Sequence, residues 1–203
     1  MKRKNLCCGL LASVLLGACG TTPPPVYYAL DDQAMSVAKR ATTPSVAIVQ
    51  AKLPDSLDRP QLVIRSAANR VQLSEQRRWA EPLRYEIPRV LADDLGRLLD
   101  SSRVAALPVD VQRFSADFNV QLDIQRLEIV EGQGADLDLM WLIESRQGKV
   151  TVGRSTLREP LVGTGGAGGD TAALVAALRR ALDRAAADIA AEIRRQSGSA
   201  PAK

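Results

Sequence analysis

Cys19 is the residue best placed to do chemistry. Its thiol follows Leu16-Gly17-Ala18 directly, so two small residues stand before a soft nucleophile. A cysteine thiolate in that setting can be converted to a thioether, and the peptide bond before it is open to cleavage. The other two cysteines, Cys7 and Cys8, lie inside a short apolar run. No histidine occurs anywhere in the 203 residues. That excludes Ser-His-Asp and Cys-His nucleophile pairs and the usual His-bearing zinc sites. An enzyme built on this chain would have to move protons with lysine, tyrosine or carboxylates.

The surroundings of Cys19 decide its use. Lys2-Arg3-Lys4 is a basic start, Leu6 to Leu16 is apolar, and small residues precede the cysteine. Basic segment, apolar segment and small-residue cleavage site are the parts of a secretory signal peptide. The apolar run is far short of the roughly 20 residues a membrane-spanning helix needs. With the cysteine directly behind the small pair, the segment resembles a bacterial lipoprotein signal. That resemblance implies a diacylglyceryl group on the Cys19 sulfur, removal of residues 1–18, and acylation of the new amine. Two or more acyl chains hold a protein stably at a membrane.

Cleavage changes the composition. It takes away three basic residues and no acidic one, so the formal net charge falls from +4 to +1. The basic isoelectric point belongs mostly to the signal, and aromatic residues are only 3% of the chain. Both facts argue against nucleic-acid binding, which needs a basic footprint or stacking platforms. Cys7 and Cys8 leave with the signal and Cys19 is consumed by lipid. The mature chain is then expected to hold no disulfide, and its 185 residues must rely on one hydrophobic core.

Three further groups could carry chemistry. Residues 163–168, Gly-Thr-Gly-Gly-Ala-Gly, match G-x-G-x-x-G between a strand and a helix. No second parallel strand follows, and Asp170 stands where a phosphate would bind, so a flexible connector is the expectation. Asp136 and Asp138, with Asp123 opposite, could gather round a divalent cation. The simpler expectation is the wet face of a half-exposed sheet. Trp79, Tyr27 and Tyr28 stand out in an aromatic-poor chain. The tyrosines are expected in the core, and Arg77-Arg78 beside Trp79 make that segment a candidate docking edge. No catalytic, cofactor-binding or metal-binding residues are assigned.

The elements that position these residues follow from periodicity. Residues 19–26 form a stiff Pro-rich tether, and residues 197–203 a disordered tail. Between them, residues 27–196 form one domain. Tyr27–Leu30 predicts a first strand, 31–43 a loop or short helix, and Ser45–Ala51 a strand buried on both faces. Leu62–Arg65 and Arg70–Leu73 predict a hairpin. Helical spacing runs from Pro88 to Asp100, with Pro88 in the first turn and an earlier start near Pro82 left open. Arg103–Leu107 is a short strand. From Phe118 the apolar positions alternate, then slip by one residue near Gln125-Arg126, which predicts a bulge. Two more alternating strands follow, around Leu137–Ile143 and Lys149–Glu159. A long helix spans about Thr171–Gln196, capped by Asp170. The fold class is α+β: a single domain with a largely antiparallel sheet and two main helices packed on it.

Four stretches in this order resemble the ABC-type transport auxiliary lipoprotein family, whose members include the PqiC-like proteins of Gram-negative bacteria. They are the lipobox, Tyr27-Tyr28-Ala29-Leu30 after the spacer, Asp58 to Arg65, and Trp79-Ala80-Glu81-Pro82-Leu83 before a Leu-rich helix. The resemblance implies a non-catalytic periplasmic domain, anchored by diacylglycerol and an N-acyl chain on Cys19. It implies no other cofactor. It implies work beside an MCE-domain periplasmic protein of an ABC transporter that moves lipids between membranes. Gly20, rather than aspartate, follows Cys19, which favours the outer membrane. Arg59, Pro60, Gln61, Trp79, Glu81 and Pro82 are the candidate partner contacts. A homo-oligomer through the Ala-rich last helix is also open. The competing classes are an outer-membrane assembly adaptor, as in lipopolysaccharide export, and a periplasmic lipid carrier.

Overall fold

The computed structural model describes residues 23–31, 44–106, 115–163 and 169–198. The signal segment, Cys19, residues 164–168, most of the 31–43 stretch and residues 199–203 lie outside these. The elements are β1 (Val26–Tyr28), β2 (Val46–Lys52), β3 (Gln61–Ala67), β4 (Arg70–Trp79), α1 (Leu83–Leu99), β5 (Val104–Ala106), β6 (Phe118–Val130), β7 (Gly134–Ser145), β8 (Val150–Pro160) and α2 (Gly169–Gly198).

The sheet is built around β6. One edge of β6 pairs antiparallel with β7 along its whole length, and β7 in turn with β8. The other edge is shared. β2 runs parallel to Phe118–Asp123, and β3 parallel to Ile129–Val130. β5 lies parallel beyond β2, while β4 and then β1 lie beyond β3. The α+β class stands, and the longest ladders are antiparallel as expected. Four of the pairings are nonetheless parallel, so the sheet is mixed. The register slips between Ile124 and Arg126, where the alternation predicts a bulge. The slip lets Phe118, Val120, Leu122, Ile124, Leu127 and Ile129 all face the core. Val46, Ala47 and Ile48 are all buried, as their unbroken apolar run requires.

Both helices cover one face of the sheet, α1 over β2 and β5, α2 over β6 to β8, and they pack on each other. α1 begins at Leu83, so Pro88 sits inside it and not in its first turn. Leu83, Ile87, Leu91 and Leu95 recur at four-residue steps and are all buried. That stripe repays the single backbone bond Pro88 cannot make. α2 begins at Gly169, which places Asp170 within the helix and not at its N-cap, and it continues through Ser197 and Gly198. Its alanines at 177, 181, 185, 186 and 190 are fully buried among its leucines and isoleucines. The Ala face is therefore covered by the chain's own sheet and α1.

Polar groups inside the layers fix the register of the parts. Asp94 of α1 is 2% exposed and receives both guanidinium nitrogens of Arg179 of α2, at 2.7 and 2.6 Å. Arg97 also pairs with Asp94. The indole of Trp141 donates to the Ser155 hydroxyl (3.2 Å), which donates to Asp188 (2.6 Å). The Trp141 ring occupies the space beside its pairing partner Gly153; a Cβ there would meet the ring at 2.0 Å. Ser45 donates its N–H and hydroxyl to Asp117 at 2.9 and 2.7 Å. Burial opposes ionisation of Asp117, but these two bonds with Arg146 and Arg103 outweigh it and hold its carboxyl below the usual range. Glu86 of α1 is fully buried and accepts from the Leu30 N–H (2.7 Å), tying the chain after β1 to the helix; its second oxygen has no partner. Desolvation pushes the Glu86 carboxyl above the usual range, partly offset by that bond and by Arg89.

Replacing Arg179 with Met leaves Asp94 buried with one remaining partner. It should cost about 3 kcal/mol in urea unfolding. Gly153→Ala must push the Trp141 ring aside and should cost about 1–3 kcal/mol, read by the same unfolding curve. Because the folded state binds the Glu86 proton more tightly than the unfolded chain, its contribution is most favourable below the unfolded value and declines as pH rises through the folded value. Glu86→Gln keeps an acceptor for Leu30. It should match or exceed the parent stability at pH 7 and flatten this part of the stability-against-pH profile.

Candidate functional site

The six candidate contact residues come from two segments that the sheet brings to one corner. The Trp79 N–H donates to the Pro60 carbonyl at 2.8 Å, and Gln61 pairs with Arg78 across the β3–β4 ladder. A register shift between Gln61 and Leu62 bulges residues 75–77 out of that ladder. Glu75 turns back to Gln61 (3.2 Å) and Arg78 (2.8 Å). β1 closes the corner: Tyr28 pairs with Trp79, and the Ala80 N–H donates to the Tyr28 carbonyl at 2.8 Å. Arg84 pairs with Asp58, and Arg89 reaches both Glu81 (3.0 Å) and Asp31 (3.1 Å). The segment after the tether, the β3–β4 ends and the start of α1 are thus one bonded unit.

The members of this corner differ in what they offer. Trp79 is 5% exposed and belongs to the core, where it supports the corner from beneath. Pro60, Glu81 and Pro82 are exposed; Arg59 and Gln61 are half-buried. The Nε of Arg59 is buried without a hydrogen-bond partner. Arg77 bridges to Thr171 of α2 (2.9 Å), so only Arg78 of the pair stays on the corner. Tyr28 packs partly buried against the core, but Tyr27 is 60% exposed, contrary to its core expectation. The alternation explains this: β1 is an edge strand, and its successive side chains must point to opposite faces. Tyr85 is 62% exposed in the first turn of α1, with the Arg84 guanidinium 4.8 Å above its ring. Sequence reasoning missed Tyr85. Its signal was the helical phase, which puts it between the core positions Leu83 and Ile87.

Asp136 and Asp138 on the open sheet face are paired with cations, and Asp123 sits opposite Met140 across the β6–β7 ladder. Asp136 receives Arg158 at 2.7 and 2.9 Å, and Asp138 receives Arg154 and Thr156. The Arg154 bonds hold the Asp138 carboxyl below the usual range. Among the described residues no group of three His, Cys, Asp or Glu side chains is arranged to hold a metal ion. A groove of about 340 Å³ on this face is lined by Arg126, Asp136, Leu137, Asp138, Thr156, Leu157 and Arg158. Of the glycine-rich motif, Gly163 is described and takes a positive φ of 90°; residues 164–168 lie outside the described residues.

Comparison with known proteins agrees with this architecture. A crystal structure of an uncharacterised protein superposes with a TM-score of 0.64 at 17% identity, covering 84% of this chain and 99% of that one. A DUF330 protein from Xanthomonas campestris superposes with a TM-score of 0.57 at 19% identity, covering 89% of this chain and all of that one. At such identities the likeness is one of fold. No curated protein matches the sequence. The family model of the ABC-type transport auxiliary lipoprotein component matches residues 28–190, from β1 to near the end of α2. That span takes in the corner and both helices, and the chain belongs to the ABC-type transport auxiliary lipoprotein family.

Proposed function

We propose that this protein is a non-catalytic accessory of an ABC/MCE-type lipid transport system, held at the periplasmic face of the outer membrane by acyl chains on Cys19. In this reading the corner formed by Arg59, Pro60, Gln61, Glu81 and Pro82 receives the MCE-domain protein. The observation that carries it is the union of tether and corner. β1 emerges from the Pro-rich spacer and is bonded directly to Trp79 and Ala80. Val26 is seven residues on from Cys19, a span of at most about 25 Å. The corner therefore stays close to the bilayer on a short stalk, where a partner crossing the periplasm would end. The exposed Tyr27 and Tyr85 and the rim of arginines give the aromatic and guanidinium contacts typical of protein interfaces. Membership of a family of ABC-type transport auxiliary lipoproteins supports a partner within such a transporter.

A pull-down from detergent-solubilised membranes tests this. An MCE-domain protein should co-purify with the parent chain. Capture should fall strongly with Glu81→Arg combined with Gln61→Arg, which place like charge on exposed or half-exposed corner positions and leave the core untouched. Cys19→Ala should release the chain from the membrane fraction. Recovery of lipopolysaccharide-export or barrel-assembly proteins instead would overturn the docking assignment.

A further inference from the structure

The tether and the turn of the β3–β4 hairpin leave the domain in the same direction. β1 runs parallel to β4, with Val26 beside Arg77, so the chain enters from the end where β4 begins. Pro23, Pro24 and Pro25 precede Val26, and a Pro-rich stretch keeps an extended course. Cys19 is seven residues before Val26, at most about 25 Å away. Arg70, the first residue of β4, is likewise seven residues before Arg77. At roughly 3.3 Å per residue the strand covers about 23 Å over that stretch. A tether that continues the line of β1 therefore brings Cys19 level with the hairpin turn and hardly beyond it.

The turn and the start of β4 are uncovered. Residues 67–73 are exposed without a break. Leu62 and Ile64 of β3 are buried, so Val63 and Arg65 turn to the open sheet face. Leu73 lies opposite Val63 and Val71 opposite Arg65, which puts both on that face. They are 51% and 52% exposed. Arg70 donates to the Ser66 hydroxyl (3.0 Å) and has no carboxylate partner among the described residues. The turn is braced from behind. The Arg65 guanidinium is held by both oxygens of Glu128 (2.9 and 2.7 Å) and donates to the Ala68 carbonyl (2.8 Å). Glu131, whose N–H donates to the Arg65 carbonyl (2.9 Å), brings one carboxylate to the same end. The surface on offer is thus apolar more than charged.

We propose that the β3–β4 hairpin is a foot that stands on the bilayer, with Val71 and Leu73 resting in the headgroup layer that holds the acyl chains of Cys19. This rests on the acylation of Cys19. Apolar side chains gain by leaving water for the interface, and exposed apolar groups beside an anchor mark such contacts. The Arg70 guanidinium suits lipid phosphates. The docking corner lies at the other end of the same two strands: Gln61 pairs with Arg78 there, and Ala67 with Arg70 at the turn. The six steps between Gln61 and Ala67 hold the corner about 20 Å above the foot. Anchor and foot together give two points of contact, which fix the tilt of the domain as well as its height.

With Cys19 acylated, a cysteine introduced elsewhere in the mature chain is its only free thiol. The acylated protein is placed in vesicles of phosphatidylethanolamine and phosphatidylglycerol with brominated acyl chains. A nitrobenzoxadiazole label on Val71→Cys should lose more than half its emission. The same label on Gln147→Cys, an exposed position in the β7–β8 turn at the far end of the sheet, should stay bright. A label on Asn69→Cys should also be quenched, and Val71→Asp with Leu73→Asp should reduce that quenching severalfold at an unchanged thermal midpoint. Quenching at 69 indifferent to the paired aspartates would overturn the apolar contact. A parent that fails to float with the vesicles removes the anchor and this proposal with it. A parent that floats while the label at 71 stays bright overturns the foot alone. A label at 71 that is blue-shifted yet unquenched means that protein covers the hairpin, and overturns it too.

Discussion

One extra residue in β6 holds this fold together. The slip at Gln125 re-phases a 13-residue strand so that its two halves turn their apolar side chains to the same face. Without it, Leu127 and Ile129 would point to the open side, since a shift of one residue exchanges the faces of a strand. Both halves are needed because each recruits a different neighbour, β2 at the start and β3 at the end. β5 follows β2, and β4 and β1 follow β3. The slip therefore decides whether the wing that carries the tether joins the same sheet as the wing that carries the long meander.

The slip was legible because alternation with period two is a strong local signal, and its failure is visible within a few residues. The β3–β4 hairpin and the β6–β8 meander were legible for the same reason: their partners are sequence neighbours. The parallel pairings were not. β1 meets β4 across some fifty residues, and β2 meets β6 across about seventy. Nothing in a strand's own composition names a remote partner. The start of α1 was obscured by Pro88, whose usual place in a first turn outweighed the Leu83–Ile87 step. The six corner residues were picked out by likeness to a family. That they share a corner, and that Trp79 supports it from within, depends on pairings of the remote kind.

Charge is used here mainly for arrangement. On the open face, Arg65, Arg154 and Arg158 each meet a carboxylate on a neighbouring strand. Such exposed pairs contribute little to stability, about 0–1 kcal/mol each. They keep a wide sheet face polar, and each fixes a cross-strand neighbour. The Arg179–Asp94 pair differs because it is buried between the helices. Its strict geometry sets how far α2 can slide along α1, where alanine surfaces alone would allow several registers. Among the described residues, twelve arginines pair with carboxylates inside the domain.

The place of β1 has a mechanical consequence. The strand nearest the anchor runs parallel to β4 and is bonded to it side by side. A tug along the tether runs along β1, so its rungs to β4 share the load at once instead of parting one after another. Behind them, the buried Leu30–Glu86 bond passes the remaining strain into α1. The domain is fitted to a taut leash: force entering at the membrane is spread through the sheet before it can peel the first strand away.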